Sequence, residues 1–370
     1  MKFLMINSVC GIRSTGRICT DLAATLESQG HEVKIAYGRE EVPEKFQKYA
    51  VRIGNDLDVK VHGLTSRLFD TQGLGSTAAT RSFLQWAETY KPDILWLHNI
   101  HGYYINYEML FLWIKKHPEM EVKWTLHDCW AFTGHCTGFT YVNCKKWKSH
   151  CENCPQKKIY PASLLFDHSK QNYDRKKALF TGIHNMTIVT PSRWLAGLVK
   201  ESYLAEYPVE VIYNTIDTEI FKPTESDFKR RYGIEKKKMV LAVSNAWQEP
   251  RKGLSDIFTI RKLLDESYAV VIVGLTEELL GTIPDNIIGI KKTSDAFELA
   301  GIYTAADVLI NPTYEDNYPT VNLEAQACGT PVITYRTGGS PESVPEENVF
   351  DVGDVDGLYR RVIQLTGGKK

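Results

Sequence analysis

Three carboxylates surround a predicted junction between a loop and a helix in the second half of the chain. Glu315 and Asp316 stand in the loop "YEDNYPT", and Glu324 lies about one turn inside the helix that follows. A carboxylate only accepts hydrogen bonds, so it suits the vicinal hydroxyls of a sugar. Pro319 fits the first turn of the helix, whose N–H groups can bind a phosphate. A site for a phosphorylated sugar is one interpretation; the other is that the loop acids only favour the helix dipole and Glu324 is a solvated helix residue.

Cysteines are the second group of residues that could carry chemistry, because five of the eight fall between positions 129 and 154. Four of them follow the pattern C-x7-C-x6-C-x2-C: Cys136, Cys144, Cys151 and Cys154. The final CxxC can chelate one ion, and two further thiolates complete a tetrahedral zinc site. His135 and His150 are alternative ligands. We expect a structural zinc ion, with reduced free cysteines as the first alternative and disulfides as the last.

The segment 144–177 is basic and aromatic. It contains nine Lys or Arg against three Asp or Glu, a surplus of six positive charges, and Trp147, Tyr160, Phe166 and Tyr173 interleave with them. A solvated surface is the default interpretation of such a charge run. The alternative is a surface for an anionic membrane and a lipid-diphosphate acceptor.

Composition limits the class of protein. The 370 residues carry a net charge of -1, are 43% hydrophobic and 24% charged, and are therefore typical of a globular chain long enough for two domains. This charge excludes a general attraction of the whole protein to nucleic acid. The apolar run at the N-terminus is too short for a signal peptide, and no run is long enough to span a bilayer. We expect a cytoplasmic protein.

Predicted strands and helices alternate along the chain in two series. In the first series, strands are predicted at 2–9, 31–37, 93–99, 122–128 and 186–192, with helices at 17–29 and 105–117. In the second series, strands are predicted at 238–244, 269–274, 286–292, 307–313 and 331–336, with helices at 253–266, 295–306 and 320–328. Such alternation predicts parallel sheets covered by helices on both faces. The fold class is therefore α/β, with two doubly wound Rossmann-like domains facing a central cleft: 1–205, which includes the cysteine-rich insert at about 129–160, and 206–370.

The segment "TYEDNYPTVNLEAQACGTPVI" closely resembles the donor-site motif of retaining GT-B-fold glycosyltransferases of family 4. "PSRWLAGLV", "VIYNTIDTEIFKP" and "TGGSPESV" are similar to other segments of this family, so the resemblance covers most of the chain. It is closest to enzymes of capsular, exopolysaccharide and colanic-acid-type synthesis. The resemblance implies transfer of a sugar from a nucleoside-diphosphate sugar to a polysaccharide or lipid-linked acceptor, at or near the inner face of the cytoplasmic membrane.

The resemblance also implies roles for residues of the second domain. Glu324 would hold the ribose hydroxyls and Asp316 the donor sugar, although Asp replaces the usual Glu and Glu315 is an alternative. Lys252 would meet the diphosphate, where negative charge grows on the leaving oxygen. Trp247 stands where many relatives have an Arg, and Arg251 is the candidate to compensate. The predicted donor-binding set is Gly16, Arg251, Lys252, Glu315, Asn317, Tyr318, Pro319, Thr320, Val321 and Glu324.

In the first domain, His127 matches a His-Asp pair of the family and would contact the transferred sugar, whereas a lone histidine at a strand end is otherwise often structural. With Lys252 and Asp316 it forms the predicted catalytic set. Gly16 lies in "GIRSTGRICTDL", which corresponds to the family's glycine-bearing loop before the first helix. The resemblance implies a front-face mechanism, in which the leaving phosphate oxygen accepts the acceptor's proton and no catalytic metal is needed. It also implies that a chain ending at Lys370 lacks the family's usual final helices.

Two other functions remain as alternatives. A catalytically silent nucleotide-sugar-binding protein would fit Asp316 and the missing Arg at position 247. A nicotinamide-dependent α/β enzyme would require a glycine fingerprint after the first strand, and the sequence has none.

Overall fold

The protein divides into two compact units, Met1–Tyr213 and a second that begins at Asn214. The computed structural model describes residues 1–367. The sequence placed the boundary at 205/206, eight residues before the observed one. The difference arises because the strand Val209–Val211 pairs with Met186–Thr190 and so completes the first sheet.

The first unit is built on a seven-stranded, entirely parallel sheet in the order β3-β2-β1-β4-β5-β6-β7. Its strands are Lys2–Ile6 (β1), Glu32–Tyr37 (β2), Ala50–Arg52 (β3), Ile94–Leu97 (β4), Glu121–Thr125 (β5), Met186–Thr190 (β6) and Val209–Val211 (β7). The helices are Arg13–Ser28 (α1), Asp56–Phe69 (α2), Thr77–Tyr90 (α3), Tyr107–Ile114 (α4), Ser169–Phe180 (α5) and Arg193–Lys200 (α6). Every residue of β4 is buried, as expected of a strand covered on both faces.

The second unit contains a six-stranded parallel sheet in the order β10-β9-β8-β11-β12-β13. Its strands are Lys238–Val243 (β8), Tyr268–Val273 (β9), Ile287–Ile290 (β10), Val308–Asn311 (β11), Val332–Tyr335 (β12) and Val349–Phe350 (β13). The helices are Phe228–Arg231 (α7), Leu254–Leu263 (α8), Glu277–Leu280 (α9), Ala296–Ala305 (α10), Thr320–Ala327 (α11) and Val355–Leu365 (α12). All six residues of β9 are buried.

The strand order of each sheet reverses once. In the first unit the chain runs outward from β1 to β3 and returns to place β4 on the other side of β1; in the second unit β11 returns to the other side of β8. Ligands of doubly wound sheets bind beyond the carboxyl ends of the strands at this reversal. The predicted pair of doubly wound sheets is confirmed, and the loops after β8 and β11 are expected to form a site.

Within residues 1–367, no helix is both long and apolar enough to cross a membrane.

One buried histidine connects α2 to the start of α3. His62 Nε2 accepts hydrogen bonds from the N–H groups of Gly73 and Gly75, both at 3.1 Å, and its Nδ1 lies 2.9 Å from Ser76 Oγ. A ring nitrogen can accept only when it carries no proton, so the structure requires neutral His62. Burial lowers the pKa of His62 from 6.5 to about 4.

The lowered pKa of His62 predicts acid sensitivity of the fold. Between pH 6.5 and pH 4 the unfolded chain binds a proton that the folded chain does not, so the free energy of unfolding falls as the pH falls. The effect is up to about 1.4 kcal/mol per pH unit for this group. We expect His62→Gln to make urea unfolding less dependent on pH between 6.5 and 5, although the variant is less stable at pH 7. The exposed His184 provides the control His184→Gln, which should keep the wild-type dependence. An unchanged slope in His62→Gln would contradict the assignment.

Candidate functional site

The acidic loop lies between β11 and α11, at the carboxyl edge of the second sheet. The two acids of the loop and Glu324 in the helix after it differ in exposure: Glu315 and Glu324 are both only 3% exposed, whereas the side chain of Asp316 is 23% exposed. Asp316 is therefore the most accessible of the three acids. Glu324 lies in α11, and Tyr303 OH donates a hydrogen bond of 2.9 Å to its Oε2, which fixes the orientation of this carboxylate.

Lys252 and Asp316 form the central contact of the site. Lys252 Nζ lies 2.5 Å from Asp316 Oδ2, and the lysine side chain is 14% exposed. Burial raises the pKa of Asp316, but the charges of Lys252 and Arg251 outweigh burial and lower it below its ordinary value. Asp316 is therefore an ionised carboxylate at neutral pH. Two residues predicted as catalytic, 64 positions apart, are brought into direct contact.

Arg251 is held within the same pair of loops. Its Nε donates to Glu249 Oε2 at 2.6 Å, and its NH1 group donates to the carbonyl oxygen of Glu315 at 2.8 Å. In return, Tyr314 N–H donates to the Arg251 carbonyl at 2.7 Å. Arg251 thus joins the loop after β8 to the loop after β11, and its charge lies beside that of Lys252.

The backbone approach between these loops requires a glycine. Gly253 follows Lys252 with a φ of 71°, and a Cβ atom at this position would lie 2.0 Å from the carbonyl oxygen of Pro312. No side chain fits such a gap. The position of Lys252 over the acidic loop therefore depends on the absence of a side chain at residue 253.

Trp247 does not supply the positive charge that many relatives have at its position. The indole is 4% exposed and its Nε1 donates to the carbonyl oxygen of Val273 at the end of β9, with a distance of 2.8 Å. Its role in this unit is therefore packing. The cations next to Asp316 are Lys252 and Arg251.

The start of α11 differs slightly from the prediction. Pro319 is the N-cap residue and not part of the first turn, and α11 begins at Thr320. The first N–H groups of a helix have no acceptor within it, so those of Thr320 and Val321 face the loop side. The Asn322 N–H instead donates to the Pro319 carbonyl at 3.2 Å. Asn317 and Tyr318 lie half-buried in the loop before the helix, and Asn317 N–H donates to Asp316 Oδ1 at 2.9 Å.

Two buried polar groups that support the loop were not predicted. Asn322, which is fully buried, accepts from Asn311 Nδ2 at 2.9 Å and donates to Ser343 Oγ at 2.8 Å. Asp256 Oδ2 accepts hydrogen bonds from Tyr314 OH at 2.9 Å and from Tyr335 OH at 2.7 Å. Both groups fix elements around the acidic loop. The only signal in the sequence for the first group was an Asn near the predicted start of a helix. No signal in the sequence indicated Asp256.

In the first unit, His127 follows β5 and pairs with a second histidine. Its Nε2 lies 3.0 Å from His98 Nδ1, and the two rings stack with centroids 5.3 Å apart. Burial lowers the pKa of His127 to about 4 and that of His98 well below its ordinary value. His127 is therefore a neutral imidazole at physiological pH, able to hydrogen-bond but not to donate a labile proton as an acid. His98 was not predicted.

A neighbouring set of polar groups contains the Asp of the His-Asp pair. Asp128 Oδ2 lies 2.9 Å from His101 Nε2, and His101 Nδ1 lies 3.1 Å from Tyr160 OH. Burial raises the pKa of Asp128, but its interactions with His101 and the hydrogen bond from the Trp130 N–H lower it, and the net direction is downward. His98, His101, His127 and Asp128 line one small cavity beyond β4 and β5. The structure therefore groups His127 with three further residues.

Gly16 is not in the loop that precedes α1. The helix begins at Arg13, four residues before the predicted start at 17, so Gly16 lies inside it. A Cβ atom at Gly16 would lie 3.0 Å from Val9 Cγ2, and the Gly16 carbonyl accepts from Gly11 N–H at 3.1 Å. In the structure Gly16 permits close packing of the helix on the preceding loop, and Gly11, with a φ of 73°, is the glycine that turns the loop.

The structure does not support the predicted zinc site. Cys136, Cys144, Cys151 and Cys154 line one cavity, but within residues 1–367 no three His, Cys, Asp or Glu side chains are arranged to hold a metal ion. A hydrogen bond between the sulfur atoms of Cys136 and Cys154 raises the pKa of the first and lowers that of the second to about 7. Burial raises the pKa of the Cys151 thiol to about 11.

His135 and His150, the two alternative zinc ligands, each contact a carboxylate through one ring nitrogen. His135 Nδ1 lies 2.6 Å from Asp70 Oδ1, and His150 Nε2 lies 2.8 Å from Asp174 Oδ1. All eight cysteines are free, as in the first alternative of reduced cysteines. Cys136 and Cys151 belong to the hydrophobic cluster that contains Phe139 and Trp147, and Cys144 and Cys154 pack against it.

Comparison with known protein families matches both units of the chain. A family described as Glycosyltransferase Family 4 matches residues 15–220, which is more than half of the chain. A family described as Glycosyl transferases group 1 matches residues 237–367.

Two curated relatives illustrate the similarity. A protein of Escherichia coli (strain K12) named as a colanic acid biosynthesis glycosyl transferase, WcaC, is 24% identical over 283 residues, which are 74% of this chain and 67% of that protein. The N-acetyl-alpha-D-glucosaminyl L-malate synthase of Bacillus anthracis is 27% identical over 199 residues, 50% of this chain and 51% of that protein. The matched regions thus span between one half and about two thirds of these relatives.

Solved structures share the fold over nearly the whole chain. Sucrose-phosphate synthase from Thermosynechococcus elongatus has a TM-score of 0.71 at 14% identity and covers 99% of this chain and 90% of its own. HepE of Anabaena, in complex with UDP-glucose, has a TM-score of 0.64 at 13% identity and covers 98% and 89%. At these identities the similarity shows the fold alone.

The close approach at Gly253 predicts a specific loss of stability. Gly253→Ala places a methyl group against the Pro312 carbonyl and also strains the backbone, so we expect a loss of roughly 2–3 kcal/mol in the free energy of unfolding. Gly233 is the matched control, because its φ is 65° but nothing lies within 4 Å of a Cβ atom there. Gly233→Ala should cost only about 1 kcal/mol, the strain of a left-handed residue. Chemical denaturation measures both values, and equal losses would show that the approach to Pro312 is unimportant.

Proposed function

The chain belongs to glycosyltransferase family 4, with the GT-B fold that its sequence predicted, and from that premise we propose that it is a retaining enzyme that moves a sugar from a nucleoside diphosphate to a glycan acceptor. The observation that carries the proposal is the contact between Lys252 and Asp316. It joins a cation suited to phosphate and an anion suited to sugar hydroxyls at the reversal point of the second sheet.

The donor diphosphate is proposed to bind between Lys252 and the start of α11. Lys252 would supply a point charge, and the N–H groups of Thr320 and Val321 would donate hydrogen bonds. Arg251 adds a second positive charge next to Lys252 while its hydrogen bonds to Glu249 and Glu315 hold both loops in place. This positive potential stabilises the negative charge that grows on the leaving phosphate.

Glu324 and Asp316 would recognise different parts of the donor. Glu324, oriented by Tyr303, is proposed to accept hydrogen bonds from the ribose hydroxyls. Asp316, the most exposed of the three acids, is proposed to accept them from the transferred sugar. Glu315 contributes its carbonyl oxygen to the Arg251 contact, which gives it a supporting role.

The chemistry is proposed to be a front-face substitution without a catalytic metal. The bond between the sugar and the phosphate oxygen breaks, the acceptor hydroxyl attacks from the same face, and the leaving phosphate oxygen takes its proton. No protein base is then required. His127, a neutral imidazole in the first unit, would hydrogen-bond the transferred sugar, and His98 would fix its ring.

The acceptor is proposed to be a growing polysaccharide or a lipid-linked oligosaccharide of a cell-surface glycan, bound through the first unit. WcaC, the relative named for colanic acid biosynthesis, supports this class of acceptor. The proposed location is cytoplasmic, at the inner face of the cytoplasmic membrane.

The second candidate is a catalytically silent binding protein. Trp247, which replaces a cation, and the shorter side chain of Asp316 favour it. Turnover of a nucleoside-diphosphate sugar decides between the two functions: binding with no hydrolysis or transfer, across several acceptors, would support the silent protein.

Replacement of Lys252 tests the diphosphate contact. We expect Lys252→Ala to weaken binding of the nucleoside diphosphate by roughly 1.5–3 kcal/mol, because a charge-assisted contact to phosphate is lost, and to lower turnover as well. Calorimetry with UDP, and then with other nucleoside diphosphates, measures the change. Lys262, which is exposed in α8, provides the control Lys262→Ala, which should bind like the wild type. Unchanged affinity in Lys252→Ala would reject its role.

Replacement of the acids tests the division of donor recognition. Glu324→Gln should weaken binding of both the free nucleoside diphosphate and its sugar, because the ribose is common to both. Asp316→Asn should weaken only the sugar-bearing donor, and binding of the free diphosphate should be retained. Titrations of each variant with both ligands measure the two effects. If both variants lose affinity equally for both ligands, the proposed roles are wrong.

A further inference from the structure

The solvent-facing side of α2 is apolar. Leu57, Val61 and Leu64 are 68%, 53% and 59% exposed, and Leu68 is half-buried. Their spacing places all four within about 60° of the helix circumference. The buried side of the same helix is formed by His62, Gly63 and Ser66, on the opposite face. A surface helix normally has the reverse arrangement, with its apolar stripe toward the core.

A loop of the first unit extends this apolar surface. Leu164, Leu165 and Phe166 are 63%, 62% and 46% exposed. Leu164 N–H donates to the carbonyl oxygen of Arg67 at 2.6 Å, and the Phe166 ring stacks on Phe69 with centroids 5.8 Å apart. The loop is therefore fixed against the end of α2. We define the α2 face as residues 57, 61, 64, 68, 69 and 164–166.

The α2 face concentrates exposed apolar side chains to an unusual degree. Within residues 1–367, seven of the 17 exposed large hydrophobic side chains belong to it. Isolated exposed leucines need no explanation, but a contiguous group marks a surface that meets something other than water.

The charges around the α2 face indicate what kind of partner this surface binds. Lys60 and Arg67 are exposed on one flank of the α2 stripe, and Lys158 and Lys170 are exposed in the segments on either side of the loop. The two acids in the first turn of α2 have local partners: Asp56 pairs with Arg52, and Asp58 accepts a hydrogen bond from the N–H of Asn55. Between 144 and 177, positive residues outnumber acids by nine to three, although the whole chain has a net charge of -1. One of those acids, Asp167, accepts hydrogen bonds from the N–H groups of Cys154 and Ser169 and so is used internally.

We propose that the α2 face is a docking surface for an anionic lipid bilayer. An apolar stripe with basic residues beside it is the pattern of a helix that lies in the plane of a membrane interface, and Leu164, Leu165 and Phe166 would insert next to it. The inference deepens the proposed function and rests on it for its biological purpose, because docking would bring the first unit to a lipid-linked acceptor.

Sedimentation with lipid vesicles tests the proposal. The probes are vesicles of phosphatidylcholine alone and vesicles in which about one quarter of the lipid is phosphatidylglycerol. We expect the full chain to bind the anionic vesicles, more weakly as salt rises, and to bind the neutral ones at least tenfold less. The double variant Leu64→Ser, Leu165→Ser should lose at least tenfold in partition. Phe297→Ser is the matched control, because Phe297 is 66% exposed in the second unit.

The side chains changed in these variants are exposed, so thermal unfolding of the variants should match that of the wild type. The double variant Lys60→Glu, Lys158→Glu provides a second test, which leaves the apolar residues intact. No binding of the wild type to anionic vesicles, or equal binding by the double variant and the control, would overturn the proposal. Concentration-dependent dimers that the double variant abolishes, without vesicle binding, would assign the α2 face to a second copy instead. Donor turnover measured without vesicles separates these results from the proposed glycosyl transfer.

Discussion

The candidate site depends on the contact between two backbone loops of the second unit. The loop after β8 lies so close to the loop after β11 that Gly253 leaves no room for a Cβ atom beside Pro312. Hydrogen bonds between Arg251, Tyr314 and Glu315 then fasten the loops to each other. The neighbouring position of β8 and β11 in the sheet makes this contact possible. The strand order thus places Lys252 next to Asp316.

In the first unit too, strand order brings polar side chains together, but most of them are histidines. Its reversal of strand order places β4 beside β1, and β5 lies next to β4. The carboxyl ends of β4 and β5 bring His98 to His127 and His101 to Asp128. Burial keeps the imidazoles of His98 and His127 neutral, so these two rings offer hydrogen bonds but no charge.

The sequence predicted the parts of the fold that have a strong local signal. Strands such as β4 and β9 are continuous apolar runs because helices cover both of their faces. Helix α2 was missed because its apolar side chains face solvent and its buried side contains His62, Gly63 and Ser66. The strands β3 and β7 were missed because three-residue strands form only through their neighbours. Spacing alone placed four cysteines together, but it could not show whether their sulfur atoms converge as metal ligands or pack as thiols.

The ion pair between Lys252 and Asp316 has a consequence for selectivity. When a ligand enters, Lys252 and Asp316 would have to separate, and each would lose its charged partner. A small inorganic anion could neutralise Lys252, but it would leave an ionised, partly buried Asp316 without its charged partner, which is costly. In the proposed reaction, a ligand that carries both phosphate oxygens and sugar hydroxyls replaces both halves of the pair at once. Such a ligand would provide a partner for each of the two charges, whereas a bare phosphate would provide one only for Lys252.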